Sequence, residues 1–203
     1  MPARAIAALL LFVAAAGCSG SSQVQQTAPA EPEIKQPTGE IISETPAAAE
    51  TPVVPVFSIS SIDGETIKLE NLLGSFPVYL VFIPTTTDSA DRDQLQEIET
   101  KIEVFEKLGA EVVVVISDWP PPVADLRDEL ELSYPLIADP LQVIATEWGV
   151  FDATGEGRTS PASFVFDAFG TLIARLVSTE TENRPSIEEV LNAMEESLRS
   201  GTA

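Results

Sequence analysis

Two uninterrupted apolar runs dominate the chain, PVYLVFIP at 77–84 and EVVVVIS at 111–117. Each has strand length and no polar alternation, as a strand buried on both faces of a sheet requires. Between them, Leu95, Ile98, Ile102 and Phe105 recur at three- and four-residue steps. That spacing predicts a single helix from Asp88 or Ser89 to Leu108, capped at its start by one of those two residues and ended by Gly109. Strand, helix and strand in this order predict a right-handed parallel unit. Ahead of it, residues 56–60 alternate and residues 66–69 return, with Asp63-Gly64 as the turn. Behind it, a helix is expected over 121–132 and a short edge strand over 134–137, around Pro135. Asp139-Pro140 opens a further helix over 141–148 that Gly149 ends. Strands at 163–167 and 171–177 flank a turn at 168–170. A closing helix over 186–198 places Ile187, Val190, Leu191, Met194 and Leu198 on one side. No internal repeat is visible.

The first 55 residues read differently. Arg4 precedes an eleven-residue apolar run, 6–16, which is of signal-peptide length and too short to span a bilayer. Ala15, Ala16 and Gly17 lead into Cys18. This resembles a bacterial lipoprotein signal, which implies cleavage after residue 17 and a lipid on Cys18, although Ala15 stands where that signal usually has leucine. An ordinary secretory signal cut near Ala16 is the alternative. The expected location is exported and lipid-anchored in the cell envelope, with the outer membrane favoured where one exists. Residues 18–55 are rich in Pro, Ala, Glu, Thr, Ser and Gln, and they read as a linker with a mean reach of roughly 30–35 Å. The folded domain is expected over 56–203.

Composition narrows the chemistry. The 203 residues hold 11 basic and 32 acidic side chains, a net charge of −21, which repels phosphate backbones and argues against nucleic acid as a partner. There is no histidine, so no Ser-His-Asp triad, Cys-His pair or histidine-ligated metal can form. Cys18 is the one cysteine, so an internal disulfide, a Cys-x-x-Cys pair and an all-cysteine metal site are excluded within one chain.

Four segments in order resemble the redoxin branch of the thioredoxin fold, the peroxiredoxins of the alkyl hydroperoxide reductase / thiol-specific antioxidant family and their membrane-anchored reductase relatives. They are DGETIKLENLLGSFPVYLVFIP, GAEVVVVISD, YPLIADPLQVIATEWGV and SPASFVFDAFGTLIARLV. The resemblance implies a three-layer α/β/α thioredoxin-like fold with a central mixed sheet, an N-terminal hairpin and a mid-domain insertion. It also implies that Pro161 is the family's cis-proline. The family's first strand ends in Pro-x-x-x-Thr-x-x-Cys, whereas here Pro84 is followed by TTTDSAD. Asp91 takes the place of the cysteine. In the register of the Cys-x-x-Cys reductases, Thr87 and Ala90 take the two cysteine places.

A carboxylate is not a soft nucleophile and forms no sulfenic acid, and a threonine hydroxyl would need a base. The expectation is therefore a domain without thiol catalysis and no enzyme, an envelope-anchored module that binds a partner protein or small ligand. A thiol-dependent antioxidant oxidoreductase of the peroxiredoxin family is the alternative, and a structural acidic envelope lipoprotein is a third. Thr85, Thr86, Thr87, Asp88, Trp119 and Arg158 are the candidates to face a ligand. Asp88, Asp91 and Asp93 read as capping and first-turn acids of a helix, not as a cation site. Trp148 is expected in the core. No cofactor and no metal are expected.

Overall fold

The computed structural model describes residues 54–180 and 182–201. The signal segment 1–17, Cys18 and all but the last two residues of the expected linker lie outside them. A hairpin of β1 (Ser58–Ser60) and β2 (Thr66–Lys68) leads into a short helix α1 (Leu69–Leu72). The main sheet then begins with β3 (Val78–Ile83), followed by α2 (Ser89–Thr100), α3 (Ile102–Lys107) and β4 (Glu111–Ile116). Between β4 and β6 lies the inserted segment, with α4 (Pro120–Leu130), β5 (Leu136–Ala138) and α5 (Val143–Glu147). The chain closes through β6 (Ala162–Phe166), β7 (Leu172–Val177) and α6 (Ile187–Ser200).

The five-stranded sheet has the order β5-β4-β3-β6-β7. β4 runs parallel to β3 and to β5, while β6 runs antiparallel to β3 and to β7. Every residue of β3 is buried, and the reason is the two-residue period of a strand. Tyr79, Val81 and Ile83 enter one core with α2, α3, α4 and α6. Val78, Leu80 and Phe82 enter the other, under the hairpin, α1 and α5. This is the three-layer thioredoxin-like fold, with a mixed sheet between two covering layers.

The expected single helix over 88–108 is two helices. The Thr100 hydroxyl donates to the Gln96 carbonyl at 2.9 Å, and the Lys101 N–H is shared between the Glu97 and Ile98 carbonyls. Such back-bonding by a threonine bends a helix. Leu69, expected to end the second hairpin strand, instead begins α1, because the hairpin register stops at Ser58 opposite Lys68. α5 starts two residues later than its expected position. Buried Asp139 accepts the N–H of Val143 at 2.9 Å and of Ala145 at 3.0 Å, and Gln142 takes a left-handed φ of 56° just before the helix.

The β6–β7 turn shows why one glycine is required. The Asp167 carboxylate accepts the N–H groups of Phe169 and Thr171 at 2.9 and 2.8 Å, which forces Gly170 to a φ of 79°. A side-chain carbon there would also meet the Gly74 nitrogen at 3.1 Å. Gly170→Ala is expected to cost about 1–3 kcal/mol from backbone strain alone. Chemical denaturation of the two proteins measures it.

Candidate functional site

The C-terminal ends of β3 and β4 open onto a cluster of loops, the end of an open α/β sheet where ligands usually bind. After Ile83 the chain runs through Pro84 and the three threonines into α2. Asp88 is the N-cap of α2 and accepts the Ala90 N–H at 2.8 Å. Its capping role agrees with the sequence, and Asp91 has a further role. Asp91 is fully buried. Its Oδ2 accepts the Thr85 N–H at 3.2 Å, and its Oδ1 accepts from Arg184 Nε at 2.6 Å. The Arg184 Nη2 group reaches Asp88 Oδ1 at 3.3 Å, and Nη1 donates to the Asn183 carbonyl at 3.1 Å.

Arg184 thus ties the segment between β7 and α6 to the β3–α2 loop. Asp91 is a first-turn acid of α2, as the sequence suggested, and is also an internal ion-pair partner. Nothing in the sequence links it to Arg184, which lies 93 positions away. Two cavities flank Arg184. One of about 600 Å³ runs beside β7 from Arg175 to Thr179, and one of about 350 Å³ lies against Gln94 and Glu188.

Burial pushes the Asp91 carboxyl up from 3.8 to about 6, against the opposing pull of Arg184. The native state therefore holds its proton more tightly than the unfolded chain does. Stability from this group is full below about pH 4 and is lost as the pH rises through 6. Asp91→Asn does not titrate. The stability of the wild type relative to Asp91→Asn is expected to fall by up to about 3 kcal/mol between pH 4 and pH 7. Urea denaturation across that range checks it, with the variant cancelling the other carboxylates.

The candidate ligand-facing residues separate. Thr86 is buried and donates to Asp118 Oδ2 at 2.7 Å, while Asp118 Oδ1 accepts the Trp119 N–H at 2.8 Å. Thr86 therefore fastens the loop to the segment just after β4. Thr87 is exposed and Ala90 half-buried. The Thr85 and Thr87 hydroxyls lie 3.2 Å apart. Trp119 is 61% exposed at the end of β4, on the expected side of the sheet. Trp148 is core, packed edge-on against Phe164 at 4.7 Å. Arg158 pairs with Glu156 at 2.7 Å, so its charge is already met within its own loop. Asp93 is exposed, and among the described residues no group of acids could hold a metal ion.

Pro161 is buried one step beyond the Phe82–Ala162 pair, and its carbonyl accepts the Ser178 N–H at 2.9 Å. Beside it lies a polar relay that sequence reading missed. Ser117 and Thr159 share a 2.5 Å hydroxyl contact, and Gln142 Oε1 accepts both the Thr159 N–H at 2.6 Å and its hydroxyl at 3.0 Å. This relay fastens the loop before Pro161 to the end of β4 and the start of α5. Asp118, Gln142 and Thr159 carry no local pattern that sets them apart. Only their convergence at one end of the sheet does.

Comparison with known proteins agrees with this geometry. A crystal structure of peroxidoxin BcpB from Mycobacterium tuberculosis superposes with a TM-score of 0.61, at 19% identity, over 70% of this chain and 94% of that one. The reduced 2-Cys peroxiredoxin of Plasmodium vivax gives a TM-score of 0.65, at 16% identity, over 74% of this chain and 96% of that one. The chloroplastic peroxiredoxin Q of Gentiana triflora is 27% identical over 146 residues, which are 70% of this chain and 65% of that protein. The AhpC/TSA family model matches residues 52–175, more than half of the chain. This match overturns the expectation that the chain is no enzyme. That expectation rested on the β3–α2 loop, where Asp91, or Thr87 and Ala90, stand in the cysteine places, and those residues remove a local source of sulfur without excluding sulfur from elsewhere. The chain belongs to the AhpC/TSA family.

Proposed function

We propose that the protein is a thiol-dependent antioxidant oxidoreductase of the peroxiredoxin type, with Cys18 as its reacting sulfur. The observation that carries this reading is the family match across residues 52–175, which spans the β3–α2 loop, Pro161 and β6 together. Cys18 is the one cysteine of the chain and so the source of the sulfur.

In the reaction, the Cys18 thiolate attacks one peroxide oxygen and the O–O bond breaks. The cysteine becomes a sulfenic acid, and the departing alkoxide or hydroxide takes a proton from water. Two equivalents of a thiol reductant then return Cys18 to the thiol, releasing water and a disulfide.

The full chain should consume hydrogen peroxide with dithiothreitol faster than the buffer blank, and Cys18→Ser should reduce the rate to the blank. Equal rates for wild type and blank would overturn the reading. Intact mass measurement separates it from the lipid-anchor reading, because a thioether to lipid on Cys18 leaves no thiolate to react.

A further inference from the structure

We propose that the Asp91–Arg184 pair is an acid-released latch, which holds residues 183–185 against the start of α2 and lets them swing away when Asp91 takes up a proton. The latch is independent of the thiol chemistry proposed above. Arg184 and Pro185 line both the cavity of about 600 Å³ and the one of about 350 Å³. This stretch therefore stands between two spaces, and its departure joins them. Its fastenings are unequal. Arg184 Nε donates to Asp91 Oδ1 at 2.6 Å. The Nη2 contact to Asp88 is longer, at 3.3 Å, and reaches a carboxylate that is 36% exposed, where water competes for it. The Pro185 carbonyl accepts from Gln94 Nε2 at 3.4 Å, a long neutral bond. The bond from Nη1 to the Asn183 carbonyl is internal to the stretch and moves with it. Ser186 caps α6 by accepting the Glu189 N–H at 3.4 Å, and so marks the hinge at the helix start.

The direction follows from what each form does to the carboxyl. Burial tightens the hold of Asp91 on a proton, and Arg184 opposes it. When Arg184 leaves, α2 still buries Asp91, so the open form binds the proton more tightly than the closed form does. Opening therefore grows as the pH falls toward about 6, where the closed-form carboxyl titrates, and levels off below it. The same proton favours the folded state over the unfolded chain, so acid opens the latch without loosening the core. Other charges around the pair do not reproduce this. On α2 and the loop before it, Asp88 is partly exposed, Asp93 and Glu97 are exposed, and Arg92 donates to the Thr86 carbonyl and pairs with Glu129 of α4. Beyond β4, Asp118 accepts from Thr86. On the β7–α6 side, Glu180, Glu182, Glu188 and Glu189 are exposed. On β3, burial keeps the Tyr79 hydroxyl protonated. Asp91 is the one carboxyl among these that is fully buried and bonded to Arg184.

The test follows the Arg184 Nε proton of the full chain by nitrogen-15 NMR, with Arg184→Lys assigning the signal. Solvated guanidinium protons exchange with water more slowly as the pH falls, so faster exchange in acid reports opening. Exchange corrected for that trend is expected to quicken by at least about tenfold between pH 8 and pH 5.5. Asp91→Asn carries no charge at either pH and should exchange at the fast rate at both. Asp88→Asn should keep the wild-type response. Protection in the wild type that ignores pH would overturn the proposal, and that arm stands even where Asp91→Asn does not fold. So would a pH response that survives in Asp91→Asn or vanishes in Asp88→Asn. An equal loss of protection at the Val81 amide of β3 would also overturn it, because the whole domain would then be loosening.

Discussion

Arg184→Ala is expected to destabilise the domain by about 3–5 kcal/mol at neutral pH, because it strands the buried Asp91 carboxylate without its cation. Asp91 is fully buried and the Arg184 side chain is 10% exposed, so water offers little compensation on either side of the pair. In the variant, the Thr85 N–H is the remaining hydrogen bond to Asp91. The carboxylate has one escape, which is to take up a proton. Arg184 pulls the Asp91 carboxyl down, so its removal moves the titration upward from about 6. The loss should therefore be largest near pH 8 and should shrink toward pH 5, where Asp91 is neutral. A purely packing role for Arg184 would give a loss that ignores pH. Combining Arg184→Leu with Asp91→Leu should recover most of the stability, since paired apolar replacements of a buried ion pair are often neutral or better. Urea denaturation of the three proteins at pH 5 and pH 8 makes the comparison.

Phe82→Ala is expected to cost about 3–5 kcal/mol, the range for removing an aromatic ring from a closed core. Phe82 is fully buried next to the C-terminal end of β3, with its ring 5.7 Å from Phe164 and 5.8 Å from Trp148. Its neighbours come from the sheet and from the end of α5, so no single segment can relax to fill the gap. For a domain of this size that loss lowers the melting temperature by on the order of 10 °C. Buried Trp148 reports the change directly, because its emission follows the loss of the ring beside it. A loss under about 1 kcal/mol would mean that the Phe82 face of β3 is not packed as described.

Phe82 lies on the strand that the sequence marked most clearly, whereas Arg184 lies between β7 and α6, in a segment the sequence did not mark. The apolar run at 77–84 announced a strand buried on both faces, and β3 is buried throughout. The run at 111–117 did the same for β4, and the stripe on the last helix appears with Ile187, Val190 and Met194 buried. The family resemblance was also legible, since four short segments in order sufficed to suggest it. Helix ends were less legible. The break at Lys101 depends on a side-chain bond from Thr100, and the start of α5 depends on the carboxylate of Asp139. Periodicity is silent about such bonds.

By itself the sequence determined which segments are strands and helices, which faces are apolar, and that no cysteine stands within the folded domain. Those properties follow from residue type and local spacing, and spacing alone decides which side of an element is buried. The tertiary structure decided the role of Asp91. In sequence it is one acid among several at a helix start. Only the folded chain brings Arg184 across 93 positions to meet it, because β7 and α6 must pack before the segment between them can reach α2. The same holds for Ser117, Gln142 and Thr159, which are scattered in sequence and meet only in the fold. Ion pairs and hydroxyl relays are properties of distances between remote residues, and those distances exist only after the sheet has formed.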